Sequence, residues 1–186
     1  MPGPATDTRA PFEVLVVDDE PDIRDLLGEY FRERHYEVAL AGDGRAAIAA
    51  IERNPSRFGL ILTDLNLPGA DGLAVLSAAR AANPNAYVVI ITGFASLDSA
   101  IQAVRLGAYD YLTKPFSLGQ IEVVMRRILD RLALDAENRQ LARQVGTRGA
   151  GDGGSGVAPR LDAIEARLAR IESAIRDLAA RRPSGL

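Results

Sequence analysis

Five polar residues stand at the ends of apolar runs. Asp18 and Asp19 follow VLVV, Asp64 follows LILT, Thr92 follows VVII and Lys114 follows YDYLT. If those runs are strands of one parallel sheet, their ends of the same sense meet at one edge, where open α/β sheets bind ligands. Three carboxylates, a hydroxyl and an ammonium would then share a pocket. Clustered carboxylates repel and raise one another's pKa, so the pocket needs positive charge. Lys114 offsets one charge, and a hard divalent cation would offset the rest. An oxygen-only donor set without histidine or cysteine points to Mg2+ or Mn2+, completed by water.

Lys114 is the only lysine among 22 basic residues. Its ammonium is a compact point charge on a flexible stem, able to pair with a carboxylate in one state and a phosphoryl oxygen in another. An arginine fork would lock into bidentate geometry instead. Pro115 follows directly, and a cis Lys114–Pro115 bond is expected to aim the amine into the pocket. Taken singly, each of these residues has an ordinary explanation. An aspartate at a strand end is usually a turn former or helix cap, and Asp71 beside Gly72 is read that way. Tyr109 and Tyr111 read singly as core, and His35 is given no role. The coincidence of position at successive strand ends is what separates the set from chance.

The elements that would position them alternate along the chain. VLVV (14–17), VAL (38–40), LIL (60–62), VVII (88–91) and YDYL (109–112) are short apolar runs. Continuous β-branched runs without alternation mark strands buried on both faces of a parallel sheet. Between them lie helical patterns: PDIRDLLGEYFRER with Pro21 in its first turn, RAAIAAIER, DGLAVLSAARAAN, and SLDSAIQAVRLGA from the cap Ser96 to Gly107. Strand–helix alternation of this kind specifies an α/β fold with a five-stranded parallel sheet.

The chain has 186 residues, a net charge of −3 and no cysteine. No global basic field points to nucleic acid, and disulfide or thiolate chemistry is excluded. Residues 1–11 read as a disordered lead-in without the apolar core of a signal peptide. No apolar run approaches the roughly 20 residues of a membrane helix, so the expectation is a soluble cytoplasmic protein. Beyond a domain spanning 12–130, residues 131–145 read as a helical extension, with Leu134, Asn138, Leu141 and Val145 at seam spacing. Residues 146–159 read as a glycine-rich linker. Its GxGxxG spacing is set aside, since no strand precedes it. In 160–182, Leu161, Ile164, Leu168, Ile171, Ile175 and Leu178 form a heptad stripe that reads as a coiled coil needing a partner.

The four motifs VVDDEPD, LTDLNLPGADG, IITGFAS and YDYLTKPF together resemble the receiver domain of two-component response regulators. The likeness covers roughly residues 12–130. It implies a doubly wound, flavodoxin-like sheet of order 2-1-3-4-5. It implies Asp64 as phosphoryl acceptor, with Asp19 and Asp64 as direct Mg2+ ligands, Asp18 acting through water and Asn66 giving a backbone carbonyl. Thr92 would be the switch hydroxyl, Lys114 the phosphoryl-binding ammonium and Tyr111 the aromatic switch. Pro68 and Gly72 match the loop after the acceptor. The donor would be a sensor histidine kinase, and the chain a stoichiometric acceptor with slow self-dephosphorylation rather than a turnover enzyme.

GFASLDSAIQAVRLGAYDYLTKPF and ENRQLARQ look like the receiver and linker of nitrogen-regulation-type activators. No GxxxxGK[ST] motif follows, and the remaining residues are too few for an ATPase or a helix-turn-helix. The expected output is therefore self-association or docking of another protein through the C-terminal helices, without a membrane or nucleic-acid partner. Two other classes stand beside this: a DNA-binding transcriptional regulator, and a Mg2+-dependent aspartyl phosphatase. The phosphatase would want nucleophile and general acid together at one strand end, whereas Asp64 stands apart from the acidic pair.

Overall fold

The computed structural model describes residues 12–146, with side chains described to residue 139. The lead-in over 1–11, the linker beyond Gly146 and the heptad stripe over 160–182 lie outside the described residues. The described chain divides into two compact units, one ending at Pro115 and one beginning at Phe116.

The first unit alternates strands and helices. Its strands are β1 (Glu13–Val17), β2 (Val38–Ala41), β3 (Phe58–Asp64), β4 (Tyr87–Thr92) and β5 (Asp110–Thr113). Its helices are α1 (Pro21–Arg32), α2 (Gly44–Arg53), α3 (Gly72–Ala82) and α4 (Leu97–Arg105). All strand pairs are parallel, and the order is β2-β1-β3-β4-β5. Right-handed crossovers in this order put α1 on one face and α2, α3 and α4 on the other.

The strands are buried because both faces are covered. Leu15, Val17, Ile61, Val88 and Ile90 enter a core with Ala47 and Ile51 of α2, Val75, Leu76 and Ala79 of α3, and Ala100 and Ala103 of α4. The alternate residues Val14, Val16, Leu60, Leu62, Val89 and Ile91 are buried as well, facing the other way by the two-residue period of a strand. Each such fully buried Leu, Ile or Val side chain contributes about 1.5–3 kcal/mol. β2 is the weakest strand in the sequence and also in burial: only Ala41 is buried, as befits the sheet edge.

α2, α3 and α4 start where side chains supply the missing acceptors, whereas α1 starts at Pro21 without a side-chain cap. Asp43 accepts from the Ala46 amide and Asp71 from the Ala74 amide. Ser96 and Ser99 form a reciprocal capping box at α4. Gly107 ends the α4 turn at φ +90°, a conformation that only glycine adopts freely.

Among the described residues, the second unit contributes one helix, α5 (Leu118–Gly146). Ser117 caps it, exchanging hydrogen bonds with Gln120. Ile121, Val124, Met125 and Ile128 are buried. From Leu129 to Arg139 no residue is buried, and Leu134 and Asn138 of the expected seam are exposed.

Candidate functional site

The sheet order brings distant residues together. β1 and β3 are neighbours, so Asp18, just past the end of β1, lies beside Asp64 at the end of β3. β4 adjoins β3, and β5 adjoins β4 with Thr92 opposite Thr113. Lys114 therefore leaves the sheet beside Thr92, its amide donating to the Thr92 carbonyl at 2.9 Å. The Lys114–Pro115 peptide is cis.

Lys114 is the hub. Its Nζ lies 2.7 Å from Asp64 Oδ2, 2.9 Å from Asp18 Oδ2 and 2.6 Å from Glu20 Oε1. Asp18 and Asp64 are buried, while Glu20 is exposed. Burial pulls the Lys114 pKa down, but the hydrogen bonds to Asp64, Glu20 and Asp18 outweigh it and hold the ammonium above the ordinary lysine range. Burial pushes the Asp18 carboxyl up. Hydrogen bonds from Lys114 and the Glu20 amide oppose the shift without cancelling it. One ammonium shared among three carboxylates leaves the most buried of them short of compensation.

Four further contacts shape the pocket. Asp64 Oδ1 accepts from the Asn66 amide at 3.1 Å, which sets that backbone beside the Asp64 carboxylate. Arg24 of α1 donates to the Asp18 carbonyl at 2.7 Å and pins the loop after β1. Thr92 is fully buried, and its hydroxyl accepts from the Phe94 amide at 3.2 Å. Tyr111 is buried on β5, its hydroxyl 3.0 Å from that of Ser99. Burial raises the Tyr111 pKa, with Asp64 adding to the shift and the Ser99 hydrogen bond opposing it.

Beside the acidic residues read from the sequence, the structure brings a further one, Glu20, to Lys114. The carboxylates close enough to hold one ion are those of Asp18, Glu20 and Asp64, within 4.8 Å of one another. Asp19 stands outside this group and is exposed. The cause is local. Asp18 Oδ1 accepts from the Glu20 amide at 3.0 Å, a turn that leaves Asp19 at its solvent side and returns Glu20 toward Lys114. Glu20 was not singled out in the sequence; its place two residues after Asp18 was the available signal. The donor set of carboxylate oxygens suits a hard cation such as Mg2+.

Residues 14–126 match the family model described as the response regulator receiver domain. The chain belongs to this family. The receiver is 36% identical over 132 residues to the nitrogen assimilation regulatory protein NtrX of Azorhizobium caulinodans, covering 69% of this chain and 28% of that protein. It is 38% identical over 117 residues to the response regulator protein PilR of Pseudomonas aeruginosa, covering 63% of this chain and 26% of that one. The chain thus spans under a third of either relative. Among solved structures, a receiver domain protein from Clostridium thermocellum superposes with a TM-score of 0.61 at 27% identity, covering 66% of this chain and 98% of that one. The beryllofluoride-activated NtrC4 receiver domain dimer superposes at 0.58 with 32% identity, covering 64% of this chain and 97% of that one. Among the described residues of this receiver, no helix is long and apolar enough to cross a membrane.

Proposed function

We propose that this receiver accepts a phosphoryl group on Asp64 from the phosphohistidine of a sensor kinase. The observation that carries the reading is the Lys114 ammonium, 2.7 Å from Asp64 Oδ2, joining the ends of β1 and β3 from beyond β5. A buried carboxylate with an ammonium at 2.7 Å is a nucleophile whose charge compensation is already in place.

In the transfer, an Asp64 oxygen attacks phosphorus and a P–O bond forms. The P–N bond to the donor imidazole breaks; the imidazole leaves with the electron pair and takes up a proton from water. Lys114 donates to a phosphoryl oxygen and neutralises charge as it moves between donor and acceptor. Asp18, Asp64 and Glu20 or Asp19, with the Asn66 carbonyl, would hold a Mg2+ or Mn2+ ion, which supplies further neutralisation of the phosphoryl oxygens. Water attack on the aspartyl phosphate would later return the carboxylate and release inorganic phosphate, so the chain acts as an acceptor rather than as a turnover enzyme.

The phosphoryl group adds up to about two negative charges and three acceptor oxygens. The Thr92 hydroxyl is the nearby donor that would turn to one of them, giving up its bond to the Phe94 amide. That release biases the loop leading to α4, and with it Tyr111. Output would pass to α5 and the segments after it, by self-association or by docking of a protein partner. The exposed Leu134 supports this reading, as does the dimeric state named for the NtrC4 receiver.

The test is incubation of the full chain with acetyl phosphate and Mg2+, followed by mass mapping of the labelled residue. Label is expected on Asp64 and is expected to vanish in Asp64→Asn. Label retained elsewhere at wild-type level in that variant would refute the assignment.

A further inference from the structure

Lys114 Nζ carries three N–H donors. Three carboxylates, from Asp18, Glu20 and Asp64, already surround it. A phosphoryl oxygen that needs this ammonium must therefore displace one of them. The cost of release differs sharply among the three. The Asp18 and Asp64 side chains are only 3% and 8% exposed. A buried carboxylate stripped of its cation bears an uncompensated desolvation penalty. The Glu20 side chain is 59% exposed, so water replaces the ammonium as soon as it turns away. Glu20 is also the nearest contact of Lys114, at 2.6 Å.

Building on the receiver reading, we propose that Glu20 is a displaceable positioning residue. It holds Lys114 at the pocket mouth in the resting state and gives up that ammonium to the phosphoryl group. Its influence on the reaction runs through Lys114, with which an incoming phosphodonor competes. The carboxylate also places negative charge where an anionic donor must approach. Both effects retard transfer, so neutralising Glu20 speeds it.

The sole lysine makes a direct readout possible. Full-length protein labelled at lysine Cε gives one side-chain NMR signal, that of Lys114, without assignment. Wild type and Glu20→Gln are compared free and with Mg2+ and beryllofluoride, a stable stand-in for the phosphoryl group. The free-state signal is expected to differ between the two proteins. The beryllofluoride-bound signals are expected to coincide, because Glu20 has already left the ammonium in that state. At saturating Mg2+, labelling of Asp64 by acetyl phosphate is expected to be about two- to fivefold faster in Glu20→Gln, the rate equivalent of one exposed ion pair. Glu20→Ala should behave alike.

A free-state signal unmoved by the substitution overturns the inference. So does a difference of equal size in both states, which would mean that Glu20 keeps its hold. Slower labelling with a higher Mg2+ midpoint would make Glu20 a metal ligand instead. A wild-type signal that ignores beryllofluoride, together with absent Asp64 labelling, would instead remove the receiver reading on which the inference rests.

Discussion

The Tyr111 hydroxyl lies 3.0 Å from the Ser99 hydroxyl, and Ser99 is the third helical residue of α4. The same Ser99 oxygen accepts from the Ser96 amide, closing the capping box. The aromatic side chain on β5 is thus bonded to the group that starts α4. A buried hydroxyl that loses its partner is costly, so turning Tyr111 outward should loosen the first turn of α4.

Ser99→Ala removes both bonds at once. It is expected to lower stability by about 1 kcal/mol, typical of a lost cap, while Asp64 still labels with acetyl phosphate. Urea midpoints for Ser99→Ala, Tyr111→Phe and the double variant measure the coupling. Additive effects of the two substitutions would show that the hydroxyl pair carries no joint energy.

Two glycines hold the loop after Asp64 against its surroundings. A Cβ on Gly72 would sit 2.1 Å from the Asp64 carbonyl oxygen, and one on Gly44 would sit 1.9 Å from that of Ala70. Backbone must move in either case. Gly72→Ala is expected to cost roughly 3 kcal/mol, the upper range for overpacking, and to slow labelling by displacing Asp64. Gly119→Ala is the control. Its nearest neighbour is a Ser117 hydroxyl at 3.7 Å, so alanine in this first turn of α5 meets no clash and should leave stability unchanged or slightly raised. Thermal melts of both variants check the contrast, and a neutral Gly72→Ala would mean the loop yields freely.

The parts of this site readable from sequence are those fixed by periodicity. Asp18, Asp64, Thr92 and Lys114 end apolar runs, and parallel strands of the same sense carry their ends to one edge. The resemblance supplied the sheet order, and Asp71 and Ser96 announced themselves as caps by residue type and place. What sequence did not disclose depends on turns and on side-chain reach. Asp19 and Glu20 are chemically similar and adjacent; only the Asp18 side chain folding back on the Glu20 amide decides which one meets Lys114. Ser99 reads as an ordinary helix residue until β5 is laid beside α4. That Lys114 is the sole lysine was visible, but the number of carboxylates sharing its ammonium was not.

That sharing makes Asp18 a site of stored cost. Its carboxyl is raised by burial beyond what Lys114 and the Glu20 amide restore. Between the unfolded value of about 3.9 and the higher folded value, the native state binds more protons than the unfolded chain. Stability contributed by this group therefore falls as pH rises through that window, and the deficit persists at neutral pH. Asp18→Asn removes the charge while its amide oxygen can still accept from the Glu20 amide. The variant is expected to be more stable than wild type by roughly 1 kcal/mol at pH 7, because the under-compensated buried charge is gone while Lys114 keeps Asp64 and Glu20 as partners. The advantage should shrink as pH is lowered through the window above the ordinary aspartate value, where wild-type Asp18 takes up its proton. Urea titrations across that pH range measure it, with acetyl phosphate labelling expected to weaken in parallel at neutral pH. An advantage independent of pH would place the cost in packing rather than in the carboxylate charge, and a loss of stability at pH 7 would mean that Lys114 compensates all three carboxylates after all.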